Sequence, residues 1–256
     1  MISRSIEYHR DLVAALLVKE LRARYKRTVL GYAWSLLNPL AMAAIYFMLV
    51  TRVFALQIEN YPLMLIGGLL PWQWFANSVN SSSMIFVANG GLIRRTSFPR
   101  AVLMISSSLN DLVHFLASIP VILGFMLWFG VLPDVRWLLF FPLLIAIQWA
   151  IIVGIGLFLA SANMFFRDLE RITSIVTTIW FYMTPIIYTR EMLKGKQEYI
   201  LYANPVAGVM LGWRGLFMGE PIDLMLVLCS FVWGVGLLSL GYLFYRRVQW
   251  RFAELV

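Results

Sequence analysis

The chain alternates between long apolar stretches and short polar breaks. Six stretches, near residues 30–54, 62–87, 101–130, 137–163, 171–189 and 223–245, are each long enough to cross a bilayer, for which a helix needs roughly 20 apolar residues. The first two are the most polar. Asn38-Pro39 interrupts one, and Asn77, Ser78, Asn80 and Ser81 to Ser83 dilute the other, so these spans turn a face to protein or water. Two segments do not read as spans. Residues 6–27 form a helix too charged to cross, with Ile6, Val13, Leu16, Leu17 and Leu21 on one side and Asp11, Lys19, Arg22 and Lys26 opposite, although Glu20 and Arg24 blur the stripe. This predicts a helix lying on the inner membrane surface, with an ordinary soluble cap as the alternative. Residues 205–219 are apolar but only about 15 long, the length of a re-entrant or interfacial segment, and Gly208, Gly212, Gly215 and Gly219 permit close helix packing there. Residues 190–204, with Lys194, Lys196 and Glu198, read either as short helices capping the outer side or as a solvated loop.

Composition agrees with this pattern. Apolar residues make up 61% of the 256 and charged residues 13%, against roughly 45–50% and 25% in soluble chains. The expected fold is all-α: a polytopic membrane protein of six transmembrane helices. It divides into an amphipathic interface helix (1–28), the membrane domain (29–245) and a tail (246–256). The first 28 residues lack the apolar core of a cleavable signal. With the N-terminus inside, fifteen of the 21 Lys and Arg fall in inside segments and six outside, so both termini are expected in the cytoplasm. The formal charge of +8 suits anionic lipid head groups; a chain this apolar is a poor nucleic-acid binder.

Little in the chain points to bond-making chemistry. One cysteine, Cys229, excludes an internal disulfide and a cysteine metal cluster and reads as a packing residue; two histidines leave little for a metal site. GxxxxGK[ST], HExxH, CxxC and GxSxG are all missing. No catalytic set is expected, so the energy for any transport comes from elsewhere. Asp111 and His114, three apart on one helical face about 15–20 Å along the third span, form either a proton relay or the wall of a polar contact or wet cavity. No duplicated half with matched broken helices is present.

Seven strings then point one way: Arg24-Tyr25-Lys26-Arg27-Thr28-Val29-Leu30-Gly31-Tyr32-Ala33-Trp34 with Asn38-Pro39-Leu40; Gly67-Gly68-Leu69-Leu70-Pro71-Trp72 with Phe75; Asn89 with Leu92-Ile93; Phe98-Pro99-Arg100; Phe166-Arg167-Asp168-Leu169; Thr184-Pro185-Ile186-Ile187-Tyr188; and Asn204-Pro205. In this order, over about residues 8–252, the chain resembles the permease subunit of ABC exporters for cell-surface polysaccharides, the family of O-antigen, capsule and teichoic acid exporters. The sequence departs from that family after Tyr188, where Thr189-Arg190-Glu191-Met192 stands in place of a proline-containing stretch. The shape of an outer gate is therefore not carried over. The resemblance implies a six-span permease of the bacterial inner membrane that forms a homodimer with two separate ATPase subunits. These would bind the ATP and Mg; this chain would bind no cofactor. The implied substrate is a polysaccharide on a polyprenyl-phosphate or similar lipid, moved outward.

Flat aromatic faces match the C–H faces of sugar rings. On the first and fifth spans, which the resemblance places at a dimer seam, the candidates for a substrate channel are Tyr32, Trp34, Tyr46, Trp180, Tyr182 and Tyr188, followed by Trp72 and Trp74. Interfacial belts and lipid-facing positions also account for aromatics. Pro39 and Pro185 break helical hydrogen bonding, as bends that shape a gate or as tolerated kinks. The resemblance places a coupling helix at Leu92, Ile93, Arg94, Arg95, Phe98 and Pro99, with Arg167 and Asp168 as further ATPase contacts; the positive-inside rule and a local charge network are the alternatives. Arg22, Arg24, Lys26 and Arg27 suit the ATPase, a pyrophosphate group or anionic lipid, with lipid the default. Rival functions are a small-lipid or drug exporter, a proton-coupled carrier using Asp111 and His114, and a membrane-embedded transferase acting on lipid-linked sugars. The last lacks a clustered pair of carboxylates.

Overall fold

The computed structural model describes residues 11–19, 33–53, 58–96, 98–193 and 198–255, and every regular element among them is helical. In chain order these are α1 (11–19); α2 (Trp34–Met48), prolonged by a π-turn (Leu49–Val53); α3 (Tyr61–Ser82); the short α4 (Ile85–Ala88) and α5 (Gly90–Arg95); α6 (Ala101–Trp128); α7 (Arg136–Asn163); α8 (Leu169–Met183); α9 (Tyr199–Ala203); α10 (Ala207–Met218); α11 (Leu224–Val248); and α12 (Phe252–Leu255). Single 3-10 turns occur at Arg190–Met192 and Gln249–Arg251. In the described part of the amphipathic segment, Leu16 is buried, Leu12 and Val13 pack on the core, and Asp11 and Lys19 are exposed.

Four helical runs are long and apolar enough to cross a membrane: Leu36–Val53, Ala101–Trp128, Arg136–Asn163 and Leu224–Arg251. The other two expected spans have a different character. α3 has the length, 22 residues or about 33 Å, but carries amides and hydroxyls on one face. α8 has 15 residues, about 22 Å of helix, short of the roughly 30 Å hydrocarbon core. It stops at Met183 because Thr184 precedes Pro185 and is extended, with φ −102° and ψ 135°. Pro185 therefore ends the helix from outside it, whereas Pro39 lies within α2.

α3 is the hub. It packs against α2, α6, α7, α8 and α10, and Leu63, Leu65 and Phe75 are fully enclosed. Pro71 sits inside it, where proline removes a helical hydrogen bond. At the same residue, but independently of that lost bond, the fully buried Gln148 of α7 makes a side-chain bridge. Its Nε2 donates to the Pro71 carbonyl at 2.8 Å, and its Oε1 accepts from Trp213 Nε1 of α10 at 2.8 Å. One amide thereby joins three helices. Aromatic rings continue the same layer: Trp74 on Phe115 at 5.3 Å, Phe115 on Trp213 at 5.1 Å, and Trp213 on Phe141 at 5.3 Å.

α7 and α11 form the closest long helix pair. A Cβ at Gly241 would lie 2.0 Å from the Gly154 carbonyl oxygen, so only glycine permits this backbone approach. The short α10 uses the same device, since a Cβ at Gly208 would lie 2.0 Å from the Leu226 carbonyl oxygen of α11. Gly219 serves differently. It is the left-handed residue, φ +70°, that ends α10.

The two ends of the bundle differ in charge. Arg94, Arg95, Arg100, Arg167, Arg171, Arg246, Arg247 and Arg251 gather at one end. There Arg100 donates to the Gln249 carbonyl, the Tyr245 hydroxyl accepts from the Ala101 amide at 3.0 Å, and Phe252 is buried against Phe86 at 4.9 Å. These contacts fasten the last turn of the chain to the start of α6. At the opposite end, Arg136 donates to the carbonyls of Gly219 and Glu220 at 3.0 and 2.9 Å, satisfying the exposed C-terminus of α10. Arg190 bridges Glu198 at 2.6 Å and Asp223 at 2.5 Å. Asp223 in turn caps α11 by accepting from the amides of Met225 and Leu226 at 2.9 and 3.1 Å.

Two outcomes follow from these contacts. Gly241→Leu should force α7 and α11 apart and lower stability by about 1–3 kcal/mol, seen as a reduced melting temperature in detergent. Gly236→Leu, at a glycine with open space around it, should melt like the parent. The Asp223 carboxyl is raised by burial, but the hydrogen bonds from Arg190 and the Leu226 amide and the charge of Arg190 outweigh this and hold it below its ordinary value. A depressed carboxylate stabilises fully above its unfolded pKa, about 3.9, and loses that contribution as pH falls through the folded value. Asp223→Asn should therefore speed hydrogen exchange in α9 and the first turn of α11 at pH 7. Its deficit in melting temperature should shrink below about pH 4; a deficit unchanged at pH 3 would contradict the assignment.

Candidate functional site

Gln73, Asn77 and Asn80 recur at i, i+4 and i+7 on α3 and so share one face of it. This row lines two cavities. The first, of about 440 Å³, lies between α2, α3 and α6: Trp34 and Asn38 come from α2, and Asp111, His114, Phe115 and Ser118 from α6, with Trp74 and Ser81 of α3 beside the amides. The second is a groove of about 280 Å³ over α3 between α2 and α8, walled by Met42, Tyr46, Trp72, Thr177, Thr178 and Tyr182. Hydrogen bonds order the row: Gln73 Nε2 donates to Asn77 Oδ1 at 3.3 Å, and Thr177 Oγ1 donates to Asn80 Oδ1 at 3.0 Å. Tyr46 and Phe181 close the groove with rings 5.8 Å apart.

Asp111 is buried, 2% exposed, and its Oδ2 accepts from Ser78 Oγ at 2.8 Å. Asp111 and His114 line the same cavity, as their spacing on one helical face predicts.

The predicted channel aromatics separate within one chain. Tyr46, Trp72 and Tyr182 share the α2–α8 groove. Trp34 and Trp74 belong to the cavity on the α6 side. Trp180 lines a third, apolar space of about 440 Å³ with Val176, Ile179, Met183 and Ile200. Its Nε1 donates to Asn204 Oδ1 at 2.8 Å, and Asn204 Nδ2 donates to Thr184 Oγ1 at 3.0 Å. Two motifs twenty residues apart thus meet in one buried polar staple. Tyr188 is half-buried beyond the end of α8. Tyr32 lies outside the described residues. The outer faces of α2 and α8 are apolar and open, with Trp34, Leu37, Ile45, Ile175, Ile179 and Tyr182 exposed.

At the basic end, α5 points Arg94 and Arg95 outward and buries Ile93; Leu92 and Phe98 are half-buried and Pro99 is exposed. α12 packs against α5. Arg167 and Asp168 are exposed, and Asp168 takes the N-cap position of α8 without a side-chain hydrogen bond to the helix. The neighbouring Phe166 is 71% exposed, an apolar contact point that charge patterning alone does not reveal. Arg22, Arg24, Lys26 and Arg27 lie outside the described residues. The amide row was present in the sequence only as a dilution of hydropathy; its i, i+4, i+7 spacing was the signal that it forms one lining.

Residues 11–218 match the family described as ABC-2 type transporter. The chain is 38% identical to the O-antigen export system permease protein RfbA of Klebsiella pneumoniae, over 98% of this chain and 97% of that one. It is 32% identical to the O-antigen export system permease protein RfbA of Myxococcus xanthus, over 84% and 83%. With the polysialic acid transport protein KpsM of Escherichia coli it shares 23% identity over 82% of each chain. A match through α10 and relatives of this extent make the assignment plain: the chain belongs to the ABC-2 type transporter family.

Proposed function

We propose that this chain is the membrane permease of an ATP-driven exporter that moves a lipid-linked polysaccharide outward across the inner membrane. The observation that carries this reading is the 38% identity to an O-antigen export permease over nearly the whole chain. The absence of GxxxxGK[ST] from the sequence supports a separate ATPase as the site of ATP and Mg binding. The arginine-rich end faces the cytoplasm by the positive-inside rule. The chain then crosses six times, with α2, α3, α6, α7, α11 and α8 together with the extended residues after it, and α1 lies at the inner surface. Two copies join along the open faces of α2 and α8, and the groove lined by Tyr46, Trp72 and Tyr182 becomes part of a shared conduit. Rings and amides there hold successive sugars weakly, so that the chain of sugars slides. The exposed Arg94 and Arg95 on α5, with Pro99, Arg167 and Asp168, meet the two ATPase subunits. Because α5 is packed on α12 and Phe252 is anchored on Phe86, a push on α5 reaches the start of α6 and the end of α11.

Co-purification with its ATPase partner should give a two-plus-two complex, and vesicles holding it should translocate lipid-linked glycan only with hydrolysable ATP. Transport driven by a proton gradient without an ATPase would overturn the reading. Arg94→Glu with Arg95→Glu should reduce export at least about tenfold while the protein still inserts, since like charge replaces the contact. Unchanged export by the double variant would remove α5 from coupling.

A further inference from the structure

The cavity between α2, α3 and α6 lies on the far side of the amide row from the proposed conduit, and it has its own chemistry. Its volume, about 440 Å³, is within the roughly 300–1,000 Å³ of small-molecule sites. Asn38, Gln73 and Asn77 offer amide groups that both donate and accept. The Asp111 carboxyl, held by Ser78 at 2.8 Å, and Ser81 add further polar positions, and the exposed Trp34 supplies a ring face. Alternating donors and acceptors around a flat apolar face are what a hydroxylated ring requires. Charge then narrows the class. Among the described residues, no Lys or Arg lines this cavity or the α2–α8 groove. His114 is the one imidazole in the lining, so a sugar bearing carboxylate or phosphate would enter beside the Asp111 carboxyl with no Lys or Arg among the described lining residues to pair it, and desolvating an anion without such pairing is unfavourable.

We propose that the α2–α3–α6 cavity is a subsite for uncharged sugar rings and that it discriminates against acidic ones. The proposal rests on the polysaccharide-export reading and adds to it the class of sugar. The shared row gives the subsite its link to the conduit: Gln73, Asn77 and Asn80 border both spaces, so a ring held in the side cavity and a ring in the groove use the same three amides.

The test uses the full complex of this chain with its ATPase in lipid nanodiscs, titrated with mannotriose and with an α2,8-linked sialic acid trimer while tryptophan fluorescence is followed. Mannotriose should bind and the acidic trimer should bind at least about tenfold more weakly. Ser118→Leu fills the cavity without touching the groove and should weaken mannotriose at least about tenfold. Asn38→Leu, at an exposed position at the cavity mouth, is a second variant that does not disturb the buried core and should act in the same direction. Leu243→Ala, on an exposed face of α11, should bind like the parent. Equal affinity for the two trimers, or mannotriose affinity unchanged in both Ser118→Leu and Asn38→Leu, overturns the proposal. A complex that exports lipid-linked glycan yet binds neither trimer overturns the subsite alone. A complex that neither exports nor binds overturns the export reading beneath it.

Discussion

A polar group in hydrocarbon must find its partner within the protein, and α3, at the centre of the helices, carries a large share of that demand. It holds a row of amides, several serines and an internal proline in a chain otherwise built to meet lipid. Placed at the surface, each unpartnered group would cost several kcal/mol. The arrangement of the other helices follows from enclosing it. α2, α6, α7, α8 and α10 surround it, Gln148 answers the Pro71 carbonyl, and Ser78 pairs with Asp111 across the α3–α6 contact. α3 is buried along most of its length, and its partly open face is the amide row, where Asn77 is exposed.

Enclosure requires close approach, and glycine provides it. Gly154 and Gly241 bring the backbones of α7 and α11 together, and Gly208 seats α10 on α11. α10 is too short to cross alone, so it is held by its ends: Arg136 takes the carbonyls of Gly219 and Glu220 just past its last turn, and the staple of Trp180, Thr184 and Asn204 fixes the chain just before it. The link between Arg190, Glu198 and Asp223 then ties the segment after α8 to the start of α11. In the proposed exporter these contacts set the rigid outer frame around the conduit. Exposed apolar faces remain on α2 and α8, as they do on α6, α7 and α11.

The same enclosure explains how a lipid-embedded chain can offer a polar lining at all. The amide row cannot face lipid, and it is too wide to be consumed by side-chain pairing alone. It therefore borders space, on one side beneath α2 and α8 and on the other beside α6. Asp111 and His114, which in sequence suggested a relay, belong to the wall of the second space. A polar cavity wall was one of the two readings their spacing allowed.

The sequence by itself determined the helical class, the positions of the long apolar runs to within a few residues, the charge asymmetry of the two ends and the chain's likeness to polysaccharide exporters. These are local or additive properties: hydropathy sums along a window, arginines count wherever they fall, and motifs persist in order. It also identified the short apolar segment that became α10 and the polar dilution of α3. It did not reveal that Gln148 would join three helices, that Thr184 and Asn204 would meet, or that Phe166 would stand exposed at the basic end. Nor did it separate Tyr46 and Tyr182 from Trp34 and Trp180, which open on different spaces. Those outcomes depend on which faces of which helices pack together, and an α-helix of this composition presents apolar side chains all round, so its sequence does not say which face meets protein. Only the tertiary structure decided that, through the few positions where a glycine, a proline or a buried amide allows one packing and forbids the rest.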